Sequence, residues 1–163
     1  MILGMSIGTF TLVHVIISLV GVGSGLVVAF AMLKSKRIPA LTALFLVTTT
    51  LTSVTGYFFH PIIFDPAEIV GFISLAVLAL ALLALYGLHL KGLWRPVYVV
   101  SALIALYLNC FVTVIQSFGK IEVLRALAPT QKEPPFMVAQ GILLLAFIVL
   151  GVFAVRRFRP SAG

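Results

Sequence analysis

At 163 residues, with 62% apolar side chains and 9% charged ones, the chain lies far from the roughly 25% charge of a soluble domain. The net charge of +7 would point to nucleic acid in a soluble protein. Here most of it sits in short gaps between long apolar runs, where membrane topology and anionic lipid headgroups account for it, so a nucleic-acid partner is rejected.

Five apolar runs, each near the roughly 20 residues that one crossing needs, predict an all-α membrane bundle of five transmembrane helices in a single domain. The first helix is expected from about Ser6 to Leu33. It is too long for a signal-peptide core and lacks a basic leader before it, so it is read as retained. The second runs from about Ala40 to Phe59, closed by His60-Pro61, and the third from Ala67 to Leu90. The fourth follows KGLWR and opens on Pro96, extending to about Phe118. The fifth runs from Phe136 to Val155. Between the last two, residues 120–128 place Ile121, Leu124 and Leu127 at helical spacing, which predicts a short interfacial helix.

The charges sort among the gaps. Lys34, Lys36, Arg37, Lys91, Arg95, Arg156, Arg157 and Arg159 fall on one side, while Asp65, Glu68, Glu122 and Glu133 fall on the other with Lys120, Arg125 and Lys132. The positive-inside rule then puts the N-terminus outside and the C-terminus in the cytoplasm. The lone cysteine, Cys110, excludes an internal disulfide and a CxxC redox motif.

Polar residues recur at steps of three or four. The first helix carries Thr11, His14, Ser18, Gly21 and Gly25; the second, Thr49, Ser53, Gly56 and His60; the fourth, Ser101, Ala105, Asn109, Thr113 and Gln116; the fifth, Gln140 and Gly141. Counted along the helices, the strongest hydrogen-bonding groups gather in the outer leaflet, with His14 roughly 12 Å below the outer end of its helix. A ligand-binding cleft lined by His14, Thr49, Ser53, Asn109, Gln116 and Gln140 is the expectation. The plainer reading is interhelical hydrogen bonding, which accounts for the serines and threonines. His14 and Asn109 are polar enough at depth to mark a site.

Haem and quinone are the candidate cofactors. His14 and His60 share the outer half but are offset in depth by roughly 10 Å, awkward for one iron between them, and His89 lies at the far end. A metal held by His14 or His60 with Asp65 or Glu68 is chemically permitted. Against it, His60-Pro61 serves to end a helix and acids are favourable at a helix start. A quinone needs only a histidine or amide in an apolar cleft.

The segments ALYLNCFVTVIQSF (Ala105 to Phe118), LAPTQKEPPF (Leu127 to Phe136) and LTSVTGYFF (Leu51 to Phe59) resemble a group of small bacterial membrane proteins described only as hypothetical. That resemblance implies a bacterial inner membrane and carries no activity. Its most distinctive polar features are Asn109, Gln116 and the Ala128-to-Gln131 turn. Tryptophan-rich sensory proteins also have five helices, but this chain holds one Trp. Small multidrug exporters carry an acid in the first helix, and b561-type cytochromes carry histidine pairs; neither is here. No nucleophile–base–acid set marks an enzyme.

Two functions are therefore expected in order: binding of a hydrophobic or redox-active ligand (quinone, haem or lipid), or a non-catalytic accessory subunit or assembly factor of a larger membrane complex. Membrane lipids are the expected surroundings, with a homo-oligomer or larger complex as the form of assembly. A transporter ranks below both, because the polar stripe fades in the inner half.

Overall fold

A computed structural model describes residues 2, 4–59 and 66–160, the side chains of 66 and 67 excepted. It is all-α. The helices are α1 (Ile7–Leu33), α2 (Pro39–Gly56), α3 (Pro66–Leu82), α4 (Trp94–Lys120), α5 (Glu122–Leu127) and α6 (Pro134–Arg157). Five helical stretches are long and apolar enough to cross a membrane, at mean hydropathies from 1.4 to 2.7, so the chain is a multi-pass membrane protein. At 1.5 Å per residue the 27 residues of α1 reach about 40 Å, enough to span the hydrocarbon with tilt.

Local chemistry sets most of the boundaries. Ser6 caps α1, its Oγ accepting from Thr9 N at 3.1 Å. Pro39 opens α2, and Pro134 and Pro135 open α6, at positions whose amides would have no helical partner. Helix α4 begins at Trp94, so Pro96 falls within its first turn rather than at its first residue. Helix α2 tightens into a 3-10 turn over Tyr57–Phe59.

The third span ends earlier than the apolar run implies. Helix α3 widens into a π turn at Leu83–Gly87, with Leu88 N donating to Leu83 O at 2.9 Å. His89 and Leu90 then take left-handed backbone angles (φ 50° and 59°), and Leu90 N returns to Ala84 O at 3.0 Å. Neither residue is the Gly or Asn that announces such a stop, so nothing in the sequence marked it.

Helix α4 is the centre, packed against α1, α2, α3, α5 and α6, and α1 makes its closest pairing with α2. Helix α4 buries Tyr98, Val99, Ala102, Ala105, Leu106, Asn109 and Cys110. Around it the core adds Val28, Ala29, Phe45, Leu46, Leu78, Ala81 and Ala84. With lipid as solvent, apolar helices gain little by leaving it, and association depends on close packing. Small residues supply that: Ala81, Ala84 and Ala105 are fully buried. Gly25 is the tightest point, where an added Cβ would lie 2.5 Å from Leu106 Cδ1 and 2.8 Å from the Phe45 ring.

The outward faces are apolar. Phe72, Met137, Ile142 and Leu145 are all more than 60% exposed, as suits surfaces that meet acyl chains. Helix α6 packs on α4 and α1 and buries only Ala154. Its last turn is held by Arg95, whose Nη1 donates to Val155 O at 3.0 Å and to Phe158 O. A cation on the terminal carbonyls suits both their orphaned lone pairs and the helix dipole.

The bundle has two unlike ends. The basic end holds Lys34, Lys36, Arg37, Lys91 and Arg95 with the finish of α6; the acidic end holds Glu68, Glu122 and Glu133 with the start of α1.

Candidate functional site

The polar stripe of α1 forms a seam with α2 and α4. Nearest the acidic end, His14 Nδ1 lies 2.7 Å from Thr55 Oγ1. The Thr55 hydroxyl donates its one proton to Leu51 O at 2.6 Å, so toward His14 it accepts. With the Thr55 proton on Leu51 O, the neutral imidazole that fits this contact is the one with its proton on Nδ1 and a lone pair on Nε2. Among the described residues Nε2 has no hydrogen-bond partner. Phe59 meets the imidazole edge-on at 5.1 Å and continues into a small aromatic cluster, with Phe10 5.1 Å from Phe59 and Phe58 6.1 Å from Phe10.

One turn deeper, Ser18 Oγ donates to Asn109 Oδ1 at 2.8 Å, and Asn109 Nδ2 reaches back to Ser18 O at 3.4 Å. This reciprocal clamp joins α1 to α4. At the next turn Gly21 leaves room for three polar atoms: its absent Cβ would lie 3.1 Å from Asn109 Nδ2, 3.1 Å from Thr49 Oγ1 and 3.2 Å from Thr48 Oγ1. The Thr49 hydroxyl, in a residue only 1% exposed, has no partner among the described residues. Ser53 Oγ lies 3.0 Å from Thr49 O and 2.9 Å from Ser74 Oγ, in hydrogen-bond reach of both, tying α2 to α3.

His14, Thr49, Ser53 and Asn109 thus belong to one connected seam, and the other two expected residues stand apart. Gln140 Nε2 donates to Phe111 O at 3.2 Å on the α4–α6 seam, while its buried Oε1 has no partner among the described residues. Phe111 is two residues past Asn109, about 200° around the helix, which separates Gln140 from the α1 stripe. Gln116 is exposed on α4. Most of the remaining hydroxyls bond within their own helices: Thr48, Thr50, Thr52, Thr113 and Ser117 each donate to the carbonyl four residues earlier.

Of the metal candidates, His60 and Asp65 lie outside the described residues. Among the described residues, no three of His, Cys, Asp and Glu come together. The Glu68 carbonyl accepts from Tyr57 Oη at 3.2 Å. His89 lies at the basic end, away from His14.

Three contributions went unread. Ser74, the lone hydroxyl on α3, could have been found as the single polar break in an otherwise apolar run. Ser18 was visible in the stripe, but its pairing with Asn109 needs the helix packing. Gln131, with φ 58°, donates from Nε2 to Ile115 O at 2.9 Å and pins the loop before α6 to α4. Two cavities lie off the seam: one of about 30 Å³ at the basic end, and a shallow apolar groove of about 430 Å³ between α3 and α4.

Comparison with family models, with curated proteins and with solved structures finds no match to this chain.

Proposed function

We propose that this protein sits in the bacterial inner membrane with its basic end in the cytoplasm, and binds a lipid-soluble redox ligand beside His14. The charge asymmetry supports the orientation, and the resemblance to small bacterial membrane proteins supports the compartment. The observation that carries the ligand reading is the 2.7 Å contact of His14 Nδ1 with a Thr55 hydroxyl that also reaches Leu51 O at 2.6 Å, from which we infer a proton on Nδ1. With its Nδ1 proton directed to Thr55, Nε2 accepts, on an imidazole that meets the Phe59 ring edge-on. A quinol meets that need, with an O–H to donate and a flat ring to stack. An oxidised quinone, which only accepts, fits less well. Thr49, Ser53 and Asn109 act below as the scaffold that fixes α1 against α2 and α4.

The test is a titration of the purified protein with short-chain quinol and quinone, together with an absorption spectrum and solvent extraction of whatever co-purifies. Tighter binding of quinol than quinone is expected, lost in His14→Ala. In Thr55→Val the imidazole is free to change tautomer, and the preference for quinol should shrink. If both forms bind wild type and His14→Ala alike, the proposal fails. A Soret band would move the assignment to haem.

A second reading, an accessory subunit of a larger membrane complex, draws support from α6. Of its 24 residues only Ala154 is buried, leaving a long apolar face for another helix. Co-purification of unrelated membrane chains at constant ratio would favour it.

A further inference from the structure

The small cavity at the basic end belongs to no part of the His14 seam. It opens where α1 finishes, α2 starts, the π turn of α3 passes and the chain leaves α6. Lys36, Arg37, Thr42, Tyr86, Tyr98 and Phe158 are among the residues that line it. Its volume of about 30 Å³ holds roughly two water-sized groups. The floor is polar and buried: Tyr98 is 2% exposed and Thr42 7%. Unlike Thr48, Thr50, Thr52 and Thr55, which bond back to their own helix, Thr42 meets the Tyr98 hydroxyl. The rim carries two cations on the short connection between α1 and α2.

Two further facts set the sign of what would fit. Among the described residues the acidic side chains, Glu68, Glu122 and Glu133, lie toward the opposite end, so none of them serves Lys36 and Arg37. Helix α2 also starts without a side-chain cap, because Ile38 occupies that position and offers no oxygen to the first-turn amides. Their partial positive charge faces the same end as the two cations.

We propose that a phosphate group seats at the mouth of this cavity, one or two of its oxygens entering toward the Tyr98–Thr42 hydroxyls and the others held by Lys36 and Arg37 at the rim. At the level of the helix ends, the phosphate arrives on an anionic phospholipid or as the free ion. The site is independent of the one at His14, and either can fail without the other.

The experiment uses the full chain in a neutral detergent, with thermal stability and native mass spectrometry as readouts. Phosphatidylglycerol, phosphatidylcholine and inorganic phosphate are added separately. Phosphatidylglycerol should be retained and should raise the melting temperature, while phosphatidylcholine, whose choline cancels the charge, should do so less. If inorganic phosphate matches phosphatidylglycerol, the site stands and its ligand is the free ion. Lys36→Gln with Arg37→Gln should weaken binding by roughly tenfold or more. Tyr98→Phe should weaken it less, without loss of charge. The decisive control is Lys34→Gln with Lys91→Gln, which removes the same charge from the same end but from residues outside the cavity lining. If both double variants weaken binding equally, or if Lys36→Gln with Arg37→Gln leaves it unchanged, attraction is diffuse and the site does not exist.

Discussion

The half of the bundle toward the basic end and the half toward the acidic end are held together by different means. Near the basic end, Phe45, Leu46, Ala81, Ala84 and Leu106 interlock with almost no exposure. Nearer the acidic end, α1 is joined to its neighbours by discrete bonds, His14 to Thr55 and Ser18 to Asn109. In lipid, neither half draws on a hydrophobic force between helices. Dispersion dominates one half and hydrogen bonding the other. The lesson is that close packing is intolerant of added atoms, whereas a hydrogen-bonded seam tolerates substitution and depends on chemistry.

The sharpest way to break the contrast is to add one methyl group. Gly25→Ala would press against Leu106 and the Phe45 ring, both 1% exposed with no void to enter. It should cost about 1–3 kcal/mol in reversible unfolding from detergent into SDS. Gly23→Ala, with nothing within 4 Å of its Cβ, should leave stability unchanged or raise it by up to about 1 kcal/mol. Equal losses in the two variants would mean that the close packing at Gly25 does not set the cost.

Next in size is Asn109→Leu, which abolishes the clamp with Ser18 and should cost about 1 kcal/mol by the same assay. A double-mutant cycle with Ser18→Ala should return most of that figure as coupling. Additive losses would mean that the clamp contributes nothing.

Thr49→Val runs the other way. It deletes a buried hydroxyl with no partner among the described residues, so stability should hold or rise by up to about 1 kcal/mol. A clear loss would show that the hydroxyl is engaged, most simply by a ligand or water in the seam.

The smallest effect lies outside the membrane spans, at the turn before α6. Slight desolvation raises the pKa of the Glu133 carboxyl, but bonds from Thr130 Oγ1 (2.8 Å), Thr130 N (3.2 Å) and Lys132 N outweigh it and hold the group below the usual carboxylate range. A lowered folded value means that the turn's contribution is complete above the unfolded carboxylate pKa and is lost as pH falls through the folded one. The Thr130 amide resonance should titrate over that acidic window in wild type and not in Glu133→Gln.

The five spans were legible because apolar length decides them. Pro39 likewise marks the start of α2 by a local rule that works without tertiary knowledge, whereas α6 begins at Pro134, two residues before the expected Phe136. The end of α3 was not legible, since His89 and Leu90 adopt left-handed angles that their side chains do not advertise. The candidate site divided in the same way. The spacing of His14, Ser18 and Gly21 shows that they share a face, and helical steps place Asn109 near their depth. Rotation about the helix axis is what spacing alone does not supply. Gln140 shares the depth yet bonds to the far side of α4, and Gln116 shares Asn109's face but is exposed on α4.

Helix α6 is hydrogen-bonded to α4 at two points, Gln140 near its start and Arg95 at its finish, and meets it through the Phe118–Phe136 and Tyr107–Phe147 ring contacts, yet buries only Ala154. It is an outer stave, with most of its surface turned away from the other helices. Phe158, just beyond its end, packs on Tyr98 and walls the basic-end cavity. Any partner or lipid that prises the stave loose therefore also unroofs that chamber, so the accessibility of one end of the molecule is coupled to the company α6 keeps along its whole length.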